Sequence, residues 1–470
     1  MQKQYDSKFG SPKAAGLVFT LATEAHYVSE FTYSEAALRD LASQVLALAK
    51  AQGATACDVE VSEGAGQNIS VRLDEVETIE YNRDKGVSVS VYLGQRKGHA
   101  STSDFSPTAL ADTVQAALAI ARYTAADEFA GPADPALLCT EFPDLDLYHP
   151  WDLPVEQAIA LAQECEQAGR QVDARINNSD GATVSTSSAR WVYGNSQGFL
   201  GAGTSTRYSV SAALIAEDDV GMQRDYWYTA ARAPADLEAA AAVGRKAGER
   251  TVRRLGARRL KTGEYPVLFE PAVASSLIGH WVSAVSGSSL YRKSSFLLDS
   301  LGQSVFAPCV TITEDPFTLR GFASGAFDGE GVATKARTLV DAGVQQGYFL
   351  SSYSARKLGM QTTGNAGGPH NLFVAPTLPA SQMLAELGTG LLVTELLGHG
   401  INLVTGDYSR GAAGFWVENG VIQYPVEEIT IAGNLREMYR QIVAIGDDAL
   451  ASSSRKVGSI LLERMTVAGD

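Results

Sequence analysis

The chain has 470 residues, 45% of them apolar and 19% charged, a composition that supports sizeable buried cores without disulfide or metal staples. Its formal net charge is −15, from 53 acids against 38 bases, which argues against a nucleic-acid-binding role, since that needs a basic footprint. No apolar run reaches membrane-spanning length, and the four cysteines, Cys57, Cys139, Cys165 and Cys309, are widely spaced without a C-x-x-C pair, so a reduced cytoplasmic protein is expected.

Residues 1–33 read as a loose extension without the layout of a secretion signal. A helix is predicted from Ser34, a capping residue, to Ala51, on the spacing of Leu38, Leu41, Val45 and Leu48. Alternating runs then predict strands at Ile69–Leu73, Val76–Tyr81, Val87–Tyr92 and Lys97–Thr102. Ser106-Pro107 opens a second helix carrying Leu110, Val114, Leu118 and Ile120. This α-β-β-β-β-α order defines a unit over 34–125. After a loop rich in Pro, Asp and Ala it recurs over 126–260. There a helix is predicted at Val155–Gln171, strands at Ala182–Ser187, Arg190–Tyr193, Ser205–Ile215 and Met222–Tyr228, and a helix at Pro234–Leu255.

From 261 to 470 the texture becomes β-rich. Tyr265–Phe269 reads as a buried strand, followed by a helix over Ala272–Ser286. Short helices are expected at Ser354–Leu358 and Ala380–Leu387. Asn419-Gly420 between two apolar runs predicts a tight hairpin over Trp416–Tyr424, because both central residues must adopt positive φ. The expected fold is therefore α+β: two related N-terminal layers, then a β-rich domain of sheets or a barrel.

Chemistry-bearing patterns are few. Among six histidines there is no H-E-x-x-H, and no histidine directly precedes a glutamate. His280 stands alone late in its helix, where a structural role is the plainer reading. Glu395 and His399 lie four apart and would share one face if helical, although Gly398 and Gly400 around His399 suggest a turn. Gly194-Asn195-Ser196-Gln197-Gly198 matches G-x-S-x-G, but with strands on both sides it reads as a turn rather than a nucleophile elbow. The segment Asp407–Phe415 offers small residues, Gly411, Ala412 and Gly414, between Tyr408 and Trp416. It is either a peptide-docking edge or an ordinary buried turn.

Four stretches carry a specific resemblance: Gly86–Tyr92, Ser289–Ser300, Ser351–Gly359 and Thr405–Gly420. From about residue 35 onward the chain resembles the PmbA, or TldE, branch of the TldD/TldE metalloprotease family, once called modulators of DNA gyrase. The resemblance implies proteolysis of peptides and small unfolded proteins. The metal-bearing TldD branch carries H-E-x-x-x-H on a helix, with a later cysteine completing a zinc site. That helix falls on Ser275-Ser276-Leu277-Ile278-Gly279-His280, so Ser275 replaces a ligand, Ser276 replaces the catalytic base, and only His280 matches. Val457-Gly458 occupies the region of the missing cysteine. The resemblance thus implies no metal in this chain, zinc in a TldD-like partner subunit, and little activity without that partner. A homodimer is possible in its absence. The competing reading is a non-catalytic homodimeric adaptor of the gyrase-modulator type.

Overall fold

The computed structural model describes residues 31–470, so almost all of the predicted extension 1–33 lies outside the described residues. Two units of matching element order come first. One comprises α1 (Glu35–Ala51), β1 (Ala56–Arg72), β2 (Glu75–Leu93), β3 (Arg96–Thr102) and α2 (Pro107–Tyr123). The other comprises α3 (Val155–Arg170), β4 (Asn178–Asn195), β5 (Leu200–Glu217), β6 (Met222–Ala231) and α4 (Ala240–Arg253). Ser34 and Ser106 cap α1 and α2 through their side-chain oxygens.

The six strands form one sheet in the order β3-β2-β1-β4-β5-β6. Exchanging the units leaves that order unchanged, with the antiparallel β1–β4 pair at its centre. Each unit has three strands rather than four. The separately predicted Val76–Tyr81 and Val87–Tyr92 are parts of the single strand β2. The Ile69–Leu73 run is the end of β1, which reaches back to Ala56 and joins β2 through Leu73-Asp74, both at positive φ. Likewise Ala182–Ser187 and Arg190–Tyr193 are parts of the single strand β4. Pro234 opens a short 3-10 turn, and α4 begins only at Ala240. Alternate residues of β1, Cys57, Val59, Val61, Ile69 and Val71, are fully buried. The first three pack under α1 and α2, and the last two under α3 and α4. Helices α3 and α4 cross closely: a Cβ on Gly244 would sit 1.8 Å from the Cys165 carbonyl oxygen.

The C-terminal half contains β7 (Gly263–Phe269), α5 (Pro271–Ala284), α6 (Gly287–Tyr291), β8 (Ile312–Asp315), β9 (Arg337–Asp341), β10 (Val344–Gln345), α7 (Ser352–Lys357), β11 (Asn371–Val374), α8 (Ala380–Leu387) and β12 (Gly390–Leu397). It continues with β13 (Asp407–Glu418), β14 (Val421–Asn434), α9 (Leu435–Arg440), β15 (Ile442–Ile445), β16 (Arg455–Lys456) and β17 (Ile460–Ala468). Strands run β14-β13-β12-β7-β17, and a further β14–β17 pairing closes this ring into a five-stranded barrel. A second sheet, β10-β9-β8-β11-β16, lies beside it. The predicted hairpin is present. Glu418 pairs with Val421, and Asn419 and Gly420 take φ of 50° and 76°, as a tight turn matching strand twist requires. The fold is α+β, with layered units leading into a β-rich domain. No helix among the described residues is long and apolar enough to cross a membrane.

Candidate functional site

Helix α5 starts with Pro271 at its first turn, where a missing N–H costs nothing, and buries Ala274, Leu277, Ile278, Trp281 and Ala284 at helical spacing. Trp281 anchors it, donating its indole N–H to Gln345 Oε1 at 2.8 Å. Its ring meets Phe306 and Phe349 edge-on. The Tyr439 hydroxyl donates to the Leu277 carbonyl at 2.9 Å. The face bearing Ser275, Ser276 and His280 is therefore held in a fixed orientation.

On that face Ser276 turns its hydroxyl back to the Val273 carbonyl at 2.6 Å. The Ser275 carbonyl receives a guanidinium N–H of Arg455 at 3.4 Å. His280 lies against Tyr408, with ring centroids 6.2 Å apart. Burial, helped by the charges of Arg410 and Arg455, pushes the His280 imidazolium pKa down to about 4. Its Nε2 and the Arg410 Nε are buried without a hydrogen-bond partner among the described residues, and the buried Tyr408 hydroxyl lies against the Arg410 side chain. Sequence reasoning placed Ser275, Ser276 and His280 on one helix, as found. It missed Arg455, which β16 brings against α5 from the region of Val457-Gly458, and it gave no role to Arg410.

The titration of His280 is open to direct measurement. Its folded pKa lies below the ordinary 6.5, so it remains neutral at pH 7. The unfolded chain takes up this proton first. The stability the neutral ring contributes is thus present above about pH 6.5 and is lost as pH falls toward 4. The expected NMR midpoint for His280 is near 4, rising in Arg410→Met. A wild-type midpoint above 6 would contradict this electrostatic picture.

The other candidates are placed differently from their sequence reading. Glu395 lies on strand β12, not on a helix, and pairs with Arg254. His399 follows in the turn at Gly398, so the four-residue spacing does not put the two on one helical face. Segment Asp407–Phe415 is neither a turn nor an edge. It forms most of β13, which is paired with β12 on one side and β14 on the other. Tyr408 and Ala412 are buried, Gly414 pairs with both Val393 and Val426, and Gly411 with both Leu397 and Thr430. Trp416 packs edge-on against Tyr265 at 5.2 Å. The docking-edge reading is therefore corrected: the small residues serve close strand packing. Gly194-Asn195-Ser196-Gln197-Gly198 ends β4 and makes the turn into β5, a turn as expected.

Beside α5 an ion-pair network joins the two halves. Arg250 of α4 pairs with Glu270, just before α5, and lies 3.4 Å from Asp225 of β6. Arg254 bridges Asp225 and Glu395. Cavities of about 250 and 260 Å3 flank this network, sharing Asp225, Arg250 and Thr394 in their walls. The second is also bounded by Tyr226, Trp227, Val273, Ser276, Leu396 and Arg410.

Three family models cover most of the chain: PmbA/TldA metallopeptidase domain 1 over 57–121, the central domain over 148–255 and the C-terminal domain over 262–469. The chain belongs to the PmbA/TldA metallopeptidase family. It is 48% identical to the metalloprotease PmbA of Escherichia coli O157:H7, over 96% of this chain and 100% of that one. It is 47% identical to a PmbA homologue of Haemophilus influenzae, over 93% and 97%. Among solved structures, a candidate modulator of DNA gyrase from Bacteroides thetaiotaomicron superposes with a TM-score of 0.87 at 29% identity, covering 92% of this chain and 99% of that one. TldE from Thermococcus kodakarensis shares the fold, with a TM-score of 0.80 at 18% identity over 91% and 100%.

Proposed function

We propose that this chain is the metal-free subunit of a cytoplasmic TldD/TldE-type metalloprotease, acting on peptides and small unfolded proteins together with a zinc-bearing TldD-like partner. The surroundings of His280 on α5 carry this reading. A zinc site needs several converging N, S or O ligands, and a hydrolytic one also needs a base near the bound water. By the family resemblance, Ser275 and Ser276 stand in the ligand and base positions, and the Ser276 hydroxyl is committed to its own helix. The charges of Arg410 and Arg455 bear on His280, and they would repel a dication as they repel a proton. The residues present do not fit a metal. Catalysis then falls to the partner, and this chain supplies structure and substrate contacts.

The test is co-expression with a metal-bearing family member. The expected result is a stable complex containing zinc, hydrolysis of an unfolded peptide by the complex, and neither zinc nor hydrolysis in this chain purified alone. Stoichiometric zinc in the isolated chain, or hydrolysis by it that survives His280→Ala, would overturn the assignment. A homodimer that ignores the metal-bearing chain would favour the adaptor reading instead.

A further inference from the structure

Among the described residues, no carboxylate lies within ion-pair distance of the Arg410 guanidinium, which donates one hydrogen bond to the Leu396 carbonyl at 3.3 Å and neighbours the Tyr408 hydroxyl. A guanidinium carries five N–H donors in a planar fork suited to a carboxylate. Arg455, also without an ion pair among the described residues, reaches the Ser275 carbonyl on α5. Two buried polar atoms near this point, Arg410 Nε and His280 Nε2, lack partners, and the Tyr408 hydroxyl has only the Arg410 side chain to turn to. Leaving such groups unsatisfied is costly, and positive charge without a counterion more so. A compact oxyanion entering beside Arg410 would relieve that imbalance.

The cavity next to Arg410 gives such an anion a route. Its volume is about 260 Å3, just below the range usual for drug-sized ligands. It suits one residue rather than a length of chain. Val273, Leu396, Tyr226 and Trp227 give it apolar and aromatic surface; of its charged residues, Asp225 is paired with Arg250 and Glu395 with Arg254, which leaves Arg410 as the cation of the wall without a carboxylate. A terminal residue presents its carboxylate at the end of the chain, so only that residue has to enter. An internal aspartate or glutamate would have to bring both flanking stretches of chain with it.

We infer that this cavity receives the C-terminal residue of a peptide, with its carboxylate on the Arg410 fork and its side chain against Leu396 and Tyr226. Helix α5, which carries Val273 and Ser276 of the cavity wall, then binds substrate ends in this subunit instead of activating water. The inference deepens the proposed role in peptide processing and rests on that reading for its biological meaning. The binding itself is a property of this chain alone.

Isothermal titration of the purified chain, at low ionic strength, tests it with N-acetyl-leucine, N-acetyl-leucinamide and inorganic phosphate. The acid is expected to bind at least tenfold more tightly than the amide, and more tightly than phosphate. Arg410→Met should weaken the acid at least tenfold. Glu395→Gln, which removes a negative charge from the cavity wall, should tighten it. Equal binding of acid and amide, no binding of the acid, or full affinity in Arg410→Met would overturn the site. Tighter binding of phosphate would overturn the assignment to peptide ends. Should Arg410→Met fail to fold by circular dichroism, Glu395→Gln decides, and unchanged affinity in that variant counts against the site. Because the titration uses no partner, failure here with intact hydrolysis by the two-subunit complex would leave the proposed function standing. The reverse outcome would separate the two in the opposite sense.

Discussion

Replacing Arg250 by methionine is expected to destabilise the protein by about 3–5 kcal/mol, the usual cost of removing one partner from a buried ion pair. Arg250 is 14% exposed, Asp225 7% and Glu270 21%. Without the guanidinium, Glu270 loses its pairing partner, and Asp225 keeps only the more distant Arg254 at 3.9 Å. Methionine keeps the aliphatic stem of arginine, so what is lost is the guanidinium with its charge rather than the apolar packing of the stem. The network joins β6 and α4 to the start of α5 and to β12, so its rupture should loosen the union of the N-terminal sheet with the barrel. Urea unfolding followed at Trp227 and at Trp281 would report the two halves separately. The expected result is a lower midpoint for both, with the two transitions moving apart. A loss below about 1 kcal/mol, within the range of a surface pair, would show that solvent already screens the network.

Gly244→Ala is the second change expected to have a large effect. In an exposed helix this substitution would stabilise by about 1 kcal/mol, since alanine is the better helix former. Here the added Cβ meets the Cys165 carbonyl oxygen at 1.8 Å and the Gly169 nitrogen at 3.1 Å, both backbone atoms of α3. Neither can swing aside like a side chain, so α3 and α4 must separate. The packing of Ala162, Cys165, Val243 and Ala247 would loosen with them. A net loss of about 3 kcal/mol is expected, at the upper end for overpacked cores. Denaturation with an unchanged dependence on denaturant concentration, but a lower midpoint, would confirm it. A gain in stability would mean that the helices can part freely.

Elements whose signal is local are legible in the sequence. Ala380–Leu387 and the Asn419-Gly420 hairpin are determined by helical spacing and by turn chemistry, and both are where the pattern places them. The long strands are not legible as wholes, because strand pairing rather than hydrophobic pattern sustains them. In β1, Gly64, Gly66, Gln67 and Asn68 interrupt the apolar alternation, yet the ladders to β2 and β4 run on through them. The buried Gln67 side chain is accommodated by donating to the Leu153 carbonyl at 2.8 Å. Segment Asp407–Phe415 resembles a docking edge because small residues allow close approach, but the backbones that approach belong to β12 and β14. At the candidate site the helix residues are readable, whereas the charges around His280 are not. Arg410 and Arg455 reach it through sheet pairings between distant parts of the chain. The sequence holds one hint, an arginine flanked by small and apolar residues in Ser409-Arg410-Gly411-Ala412, where a solvated position would be expected to carry more polar neighbours.

The closure of the barrel also governs how the polypeptide can mature. Strand β7 is among the first parts of this half to be synthesised, but its antiparallel neighbour β17 spans Ile460–Ala468. During translation the ring therefore stays open until those residues emerge, with one flank of β7 lacking its ladder. The N-terminal sheet needs nothing beyond Ala231 for its strands and can form earlier. Nascent chains halted between the two points would carry a finished sheet and a gaping barrel, a state prone to intermolecular strand pairing and dependent on chaperones for its solubility.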